Sequence, residues 1–198
     1  MLDQKKVFKI LEENGVSYFT GVPDSYLNGF CNYALANCGE RNIIAANEGN
    51  AVALAAGHYL ATREIPLVYM QNSGEGNALN PLASLADRDV YAIPMILLIG
   101  WRGQGKTEPN HPQHKLQGEI TTGLLELLHI PCTVLEDDDL KFAETVEKAV
   151  RYCSETRGVY ALIAPKGIMA DPDKSNNVDE TYPMSREEAI EVILDHIP

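Results

Sequence analysis

The chain has 198 residues, 45% of them hydrophobic and 22% charged, enough for one domain with a sizeable core. A formal net charge of −12 argues against a nucleic-acid partner, because affinity there comes mostly from cations that neutralise phosphates. No apolar run approaches the length of a membrane span, so no membrane partner is expected. The opening stretch Met1–Gly15 reads as an amphipathic helix of mixed charge rather than a signal peptide. Cys31, Cys38, Cys132 and Cys153 form neither a C-x-x-C pair nor a dense framework. Reduced thiols in a cytoplasmic protein are the expectation, with no metal site built by this chain.

In chain order, short apolar runs alternate with longer helical patterns. Candidate strands are 18–21, 42–46, 66–70, 92–100, 131–135 and 158–164; helical patterns cover 3–14, 25–37, 48–63, 79–87, 118–128 and 140–155. Such alternation predicts an α/β fold: an open, mostly parallel six-stranded sheet with helices on both faces. Beyond Ala164 the polar run Asp171–Asn177 reads as a linker. Ser185-Arg186-Glu187-Glu188 then forms a capping box that opens a helix through about His196. The expected division is a domain over residues 1–168, a linker over 169–184, and over 185–198 the first helix of a further domain.

Ligands of such folds bind at the carboxyl ends of the strands. Four polar, Gly-rich corners fall there: Gly21-Val22-Pro23-Asp24, Asn47-Glu48-Gly49, Gln71-Asn72-Ser73-Gly74, and the loop after Gly100. That loop, Gly100-Trp101-Arg102-Gly103-Gln104-Gly105-Lys106-Thr107, matches the phosphate-loop pattern G-x-x-x-x-G-K-[ST]. A true phosphate loop runs straight into a helix whose N-terminus faces the phosphates. Here Pro109 and Pro112 follow, and a proline in the second helical turn costs about 3 kcal/mol or more. A nucleotide-binding protein is therefore disfavoured. The loop is still cationic: Arg102, Lys106, Lys115, His111 and His114 stand against the single acid Glu108. In an acidic protein, that points either to a small anionic ligand or to a solvated basic loop.

Glu48 heads the stretch Ala51-Val52-Ala53-Leu54-Ala55-Ala56-Gly57, which is apolar on every face and is expected to be buried all round. An acid there either complements the helix dipole or serves as a tuned catalytic group.

Five short stretches, in order, resemble phosphonopyruvate decarboxylases, a thiamine diphosphate-dependent family. They are Gly21-Val22-Pro23-Asp24-Ser25, Ala46-Asn47-Glu48-Gly49-Asn50-Ala51, Tyr69–Asn77 (YMQNSGEGN), Gly100-Trp101-Arg102-Gly103 and Pro112-Gln113-His114. The resemblance runs from about Val7 to Glu188 and covers the pyrimidine-binding domain of that family. It implies that residues 1–168 are that domain and that Glu48 hydrogen-bonds N1′ of the cofactor's aminopyrimidine. That bond favours the imino tautomer, which removes the thiazolium C2 proton. The family's diphosphate and Mg²⁺ are held by a Gly-Asp-Gly in a second domain, and no Gly-Asp-Gly occurs in this chain. The chain then looks like half of an active site that needs a diphosphate-binding domain or subunit and assembles as a homo-oligomer.

The same resemblance assigns further roles. Asp24 would transfer a proton after CO2 leaves, unless it is only a turn residue or helix cap. His114 would bind substrate or shuttle protons, and Asn72, Ser73 and Gly74 would line the pyrimidine pocket. Arg102 and Lys106 are candidates for the substrate's phosphonate, with His111 beside them. The implied reaction is decarboxylation of phosphonopyruvate, a small anionic 2-keto acid, to phosphonoacetaldehyde. A sulfopyruvate decarboxylase of the alpha-subunit type is the alternative, and the sequence does not separate a phosphonate from a sulfonate.

Overall fold

The computed structural model describes residues 1–105, 111–169 and 184–197. Six strands form one sheet in the order β2-β1-β3-β4-β6-β5, and every pairing is parallel. They are β1 (Phe19–Gly21), β2 (Asn42–Ile44), β3 (Leu67–Gln71), β4 (Met95–Gly100), β5 (Cys132–Val134) and β6 (Val159–Ala164). The helices are α1 (Gln4–Glu13), α2 (Asn28–Asn37), α3 (Glu48–Thr62), α4 (Glu75–Pro81), α5 (Gln113–Leu127), α6 (Asp139–Thr156) and α7 (Arg186–Asp195). All six expected strands are present, five of them trimmed at one or both ends and β3 shifted by one residue.

The period-2 alternation of the strands builds two cores. Leu67, Tyr69, Ile96, Leu98, Tyr160 and Leu162 face α1, α2 and α6, where Phe8 packs on Phe19 and Phe30 at ring distances of 5.0 and 4.7 Å. Val68, Met70, Met95, Leu97, Ile99, Ala161 and Ile163 face the layer of α3, α4 and α5. The central strands β4 and β6 are buried along their whole length, as parallel strands covered on both sides must be.

Local chemistry sets the helix starts. The Asp3 carboxylate accepts from the Lys6 amide at 3.1 Å, and the Asp138 carboxylate caps α6 through the amides of Leu140 and Lys141. Asn47 caps α3 through the Asn50 amide at 2.9 Å, which places Glu48 in the first turn. The expected capping box of α7 is present, with reciprocal bonds of 2.7 and 3.2 Å between Ser185 and Glu188. No residue of α7 is buried.

Three expectations need correction. The helical pattern placed at 79–87 begins four residues earlier, at Glu75, and finishes as a π turn over Leu82–Ala86 with Pro81 inside the run. The helix placed at 118–128 begins at Gln113 with Pro112 as its N-cap, so Gln113 and His114 lie in its first turn. Finally, α3 is not buried all round. Ala51, Val52, Ala55 and Ala56 pack on the sheet, while Ala53, Leu54, Gly57 and Leu60 are exposed. Its small residues let one face approach the sheet closely and leave an apolar face open.

Candidate active site

Because the sheet is wholly parallel, every corner after a strand opens on the same edge. Glu48 after β2, Asp24 after β1, Ser73 and Gly74 after β3, and Arg102 after β4 therefore share the carboxyl edge.

Glu48 is half-buried, and its Oε2 accepts from the Asn77 amide nitrogen at 2.8 Å. The carboxylate lies flat on Gly74: a Cβ at residue 74 would collide with it, and with its Cδ and Cγ at 2.5 Å. Gly74 is thus a glycine because Glu48 occupies the space of its side chain. Ser73 is exposed, and its hydroxyl accepts from the Gln71 amide nitrogen at 2.7 Å.

Asn72 departs from its expected role as a pocket-lining residue. It is fully buried, and its side-chain amide donates to the Arg102 carbonyl and to the Thr121 hydroxyl, both at 2.9 Å. Its Oδ1 accepts from the Arg102 amide at 3.2 Å. Gln117 of α5 returns to the Asn72 carbonyl at 3.1 Å. Asn72 therefore clamps the end of β3 to the end of β4 and to α5. Nothing in the residue type at a Gly-rich corner distinguishes such a clamp from a ligand contact, since its partners lie 30 to 49 residues away.

Asp24 fills the capping role, one of its two expected readings. It caps the short 3-10 turn Ser25–Leu27 by accepting from the Tyr26 amide at 3.0 Å. It is also 6% exposed and takes Arg102 Nε and Nη2 on one oxygen, at 2.9 and 2.7 Å. Burial pushes its carboxyl up, against the downward pull of the Arg102 bond and charge and, more weakly, of His114. Gly100 leaves the space that the second carboxylate oxygen fills. Arg102, a candidate phosphonate ligand, also donates to the Ser25 hydroxyl and lies 4.5 Å from the Tyr26 ring centroid. It stands on the edge as half of an ion pair.

The described part of the cationic loop is folded against α5. Gly103 has φ +72°, and any Cβ there would meet the His114 carbonyl. Trp101 packs against the core, with Nε1 donating to the Gly118 carbonyl at 2.9 Å. His111 and His114 stack at a ring distance of 5.3 Å, beside the edge. Lys106 and Thr107 lie outside the described residues, as does most of the expected linker.

Two residues were given no role by the sequence. Lys166, just past β6, brings a second cation to within 5.7 Å of the Tyr26 ring. Glu75, in the same motif as Ser73 and Gly74, is 3% exposed and its carboxyl is pushed up to about 8 by burial. An acid set between two glycines beyond a strand end was its only signal.

A parallel α/β sheet with a carboxylate at the head of a helix, seated on a glycine shelf, sets that acid at the carboxyl edge, where folds of this kind bind their ligands. Residues 4–124 match the family model described as "Thiamine pyrophosphate enzyme, N-terminal TPP binding domain", and the chain belongs to that family. It is 35% identical over 173 residues to a phosphonopyruvate decarboxylase of Streptomyces viridochromogenes, covering 86% of this chain and 41% of that protein. It is likewise 35% identical over 125 residues to the sulfopyruvate decarboxylase subunit alpha of Methanococcus maripaludis, covering 63% of this chain and 72% of that subunit. The fold matches an enzyme isolated from Mycobacterium smegmatis and described as thiamin diphosphate-dependent. That match has a TM-score of 0.67 and 20% identity over 87% of this chain and 32% of the other. The chain spans well under half the length of the phosphonopyruvate decarboxylase it matches.

Proposed function

We propose that this chain supplies the pyrimidine-binding half of a thiamine diphosphate-dependent decarboxylase acting on phosphonopyruvate. The observation that carries the reading is the Glu48 carboxylate, fixed by Asn77 and resting on the bare backbone of Gly74 at the carboxyl edge. Its Oε2 is held by Asn77, and its half-exposed carboxylate suits a ring-nitrogen donor presented from outside the chain. Glu48 would hold the aminopyrimidine, with Ser73 and Gly74 as the adjoining surface. When bound, thiamine diphosphate supplies the electron sink that accepts the pair released as a 2-keto acid loses CO2.

The chain's own residues do the rest. Arg102 keeps the buried Asp24 carboxyl in one orientation, so that Asp24 can hold or deliver a proton at a fixed point on the carboxyl edge. Arg102, His111 and His114 stand on this edge as candidate contacts for a doubly anionic substrate, and Lys106 would add a cation. The diphosphate and Mg²⁺ belong to a partner domain or subunit. The open face of α3, which presents Ala53, Gly57 and Leu60, is where that partner would seat, in a homo-oligomer located in the cytoplasm.

Sulfopyruvate is a second reading, favoured by the large share of the alpha subunit that the chain covers. The test is to supply the diphosphate-binding partner and measure CO2 and aldehyde formed from each acid. Glu48→Gln, which keeps the shape but cannot act as a carboxylate, should lose on the order of 100-fold or more in kcat. Near-normal turnover by that variant would sink the reading. The preferred acid of the wild type decides between phosphonate and sulfonate.

A further inference from the structure

Glu75 opens α4 one residue beyond the glycine that supports Glu48. It is 3% exposed, and neither carboxyl oxygen has a hydrogen-bond partner. An ionised carboxylate in such a place is costly unless it is paired. The groups that face it are the Thr121 hydroxyl of α5 and the Cys132 thiol at the start of β5, and among the described residues it has no ion pair. Burial pushes Glu75 up to about 8, and the nearby Thr121 hydroxyl pulls against that rise. The Cys132 thiol is itself pushed up, first by burial and then by the Glu75 charge.

Thr121 explains why the proton matters. Its hydroxyl donates to the Gln117 carbonyl at 2.7 Å and accepts from the Asn72 amide nitrogen at 2.9 Å. With its hydrogen committed, it has only a lone pair left to offer. A neutral carboxyl can donate to that lone pair, whereas a carboxylate can only accept and so competes with the Gln117 carbonyl for the Thr121 hydrogen. Thr121 and Gln117 also anchor Asn72, and Asn72 fixes the main chain at Arg102 through both its N–H and its carbonyl.

We propose that Glu75 is a proton latch on the candidate site: as the neutral acid it seats α4 on α5, and on losing its proton it breaks the Thr121–Asn72 tie that fixes the backbone carrying Arg102. The inference concerns the chain's own packing and is independent of the substrate. Its sign follows from linkage. The folded chain holds a proton that the unfolded chain, with an ordinary carboxyl value of 4.5, has released. Stability is then full below that value and falls as pH rises from about 4.5 to about 8.

Trp101 is the chain's only tryptophan, and its bond to the Gly118 carbonyl makes its emission a reporter of how α5 is seated. Emission of the wild-type chain, titrated from about pH 6 to about pH 9.5, should show a step with its midpoint near 8, the value to which burial pushes Glu75. Its melting temperature should fall between pH 6 and pH 8 over the same range. Glu75→Gln and Glu75→Leu, which carry no proton to lose, should both lack the step and melt with a flatter pH dependence. A step that survives in either variant, or that is missing from the wild type, overturns the proposal.

Discussion

The Glu48 carboxylate occupies the space where a side chain on Gly74 would begin. The clash is with the far end of a flexible side chain rather than with backbone, so Gly74→Ala can be relieved by swinging Glu48 away. The expected outcome is a split between folding and function. Gly74→Ala should leave the melting temperature within a few degrees of the wild type. With the partner present, it should reduce turnover about as far as Glu48→Gln does. Equal activity in Gly74→Ala and wild type would mean that the seat of Glu48 is irrelevant to the chemistry.

The Asp24–Arg102 pair makes a different prediction, because here the fold is at stake. Asp24 has a side chain only 1% exposed, against 15% for Arg102. Removing one partner of a buried pair leaves an uncompensated charge and costs about 3 kcal/mol, less whatever protonation of Asp24 recovers. Arg102→Ala should therefore lower the denaturant midpoint more at pH 8 than at pH 5, where Asp24, already pushed upward by burial, takes a proton more easily. Adding Asp24→Asn should restore much of the loss. A double-mutant cycle showing no coupling would remove the pair from the account of this edge.

The sheet was legible in the sequence because its central strands are fully buried and read as unbroken apolar runs, such as Met95–Ile99. The starts of α4 and α5 were not. Glu75-Gly76-Asn77 and Gln113-His114-Lys115 carry no apolar period, since those turns are held by corner contacts rather than by an amphipathic face. Glu48 could be placed at the carboxyl edge because it follows a strand, and its role came from the resemblance of the stretch around it to a thiamine diphosphate-dependent family. The roles of Asn72 and Glu75 depend on Thr121, which is distant in the chain and has no local signature.

The phosphate-loop match also has a measurable consequence. The described part of the loop turns back onto the first turn of α5, with Gly103 pressed on the His114 carbonyl. The helix that follows begins at Gln113, behind Pro112. ATP or GTP with Mg²⁺ should therefore leave the melting temperature unchanged. A ligand at 100 times its Kd would add about 2.7 kcal/mol, enough for several degrees. A rise of that size, dependent on nucleotide concentration, would return the loop to nucleotide chemistry.

The last expectation concerns the open face of α3. Leu54 is 38% exposed and Leu60 is 54% exposed on a helix whose first turn carries Glu48. On the proposed function, apolar residues standing out on the helix that Glu48 opens are suited to a dry contact with the partner that would complete the cleft. Leu60→Glu should change the stability of the chain alone by no more than about 0.5 kcal/mol, since the side chain already faces water. In the assembled enzyme the same substitution would bury an unpaired charge, which should weaken association with the diphosphate-binding partner at least tenfold. Sedimentation of the complex over a concentration series reads that shift directly. An unchanged association constant would place the partner on another face and separate the α3 stripe from the work of Glu48.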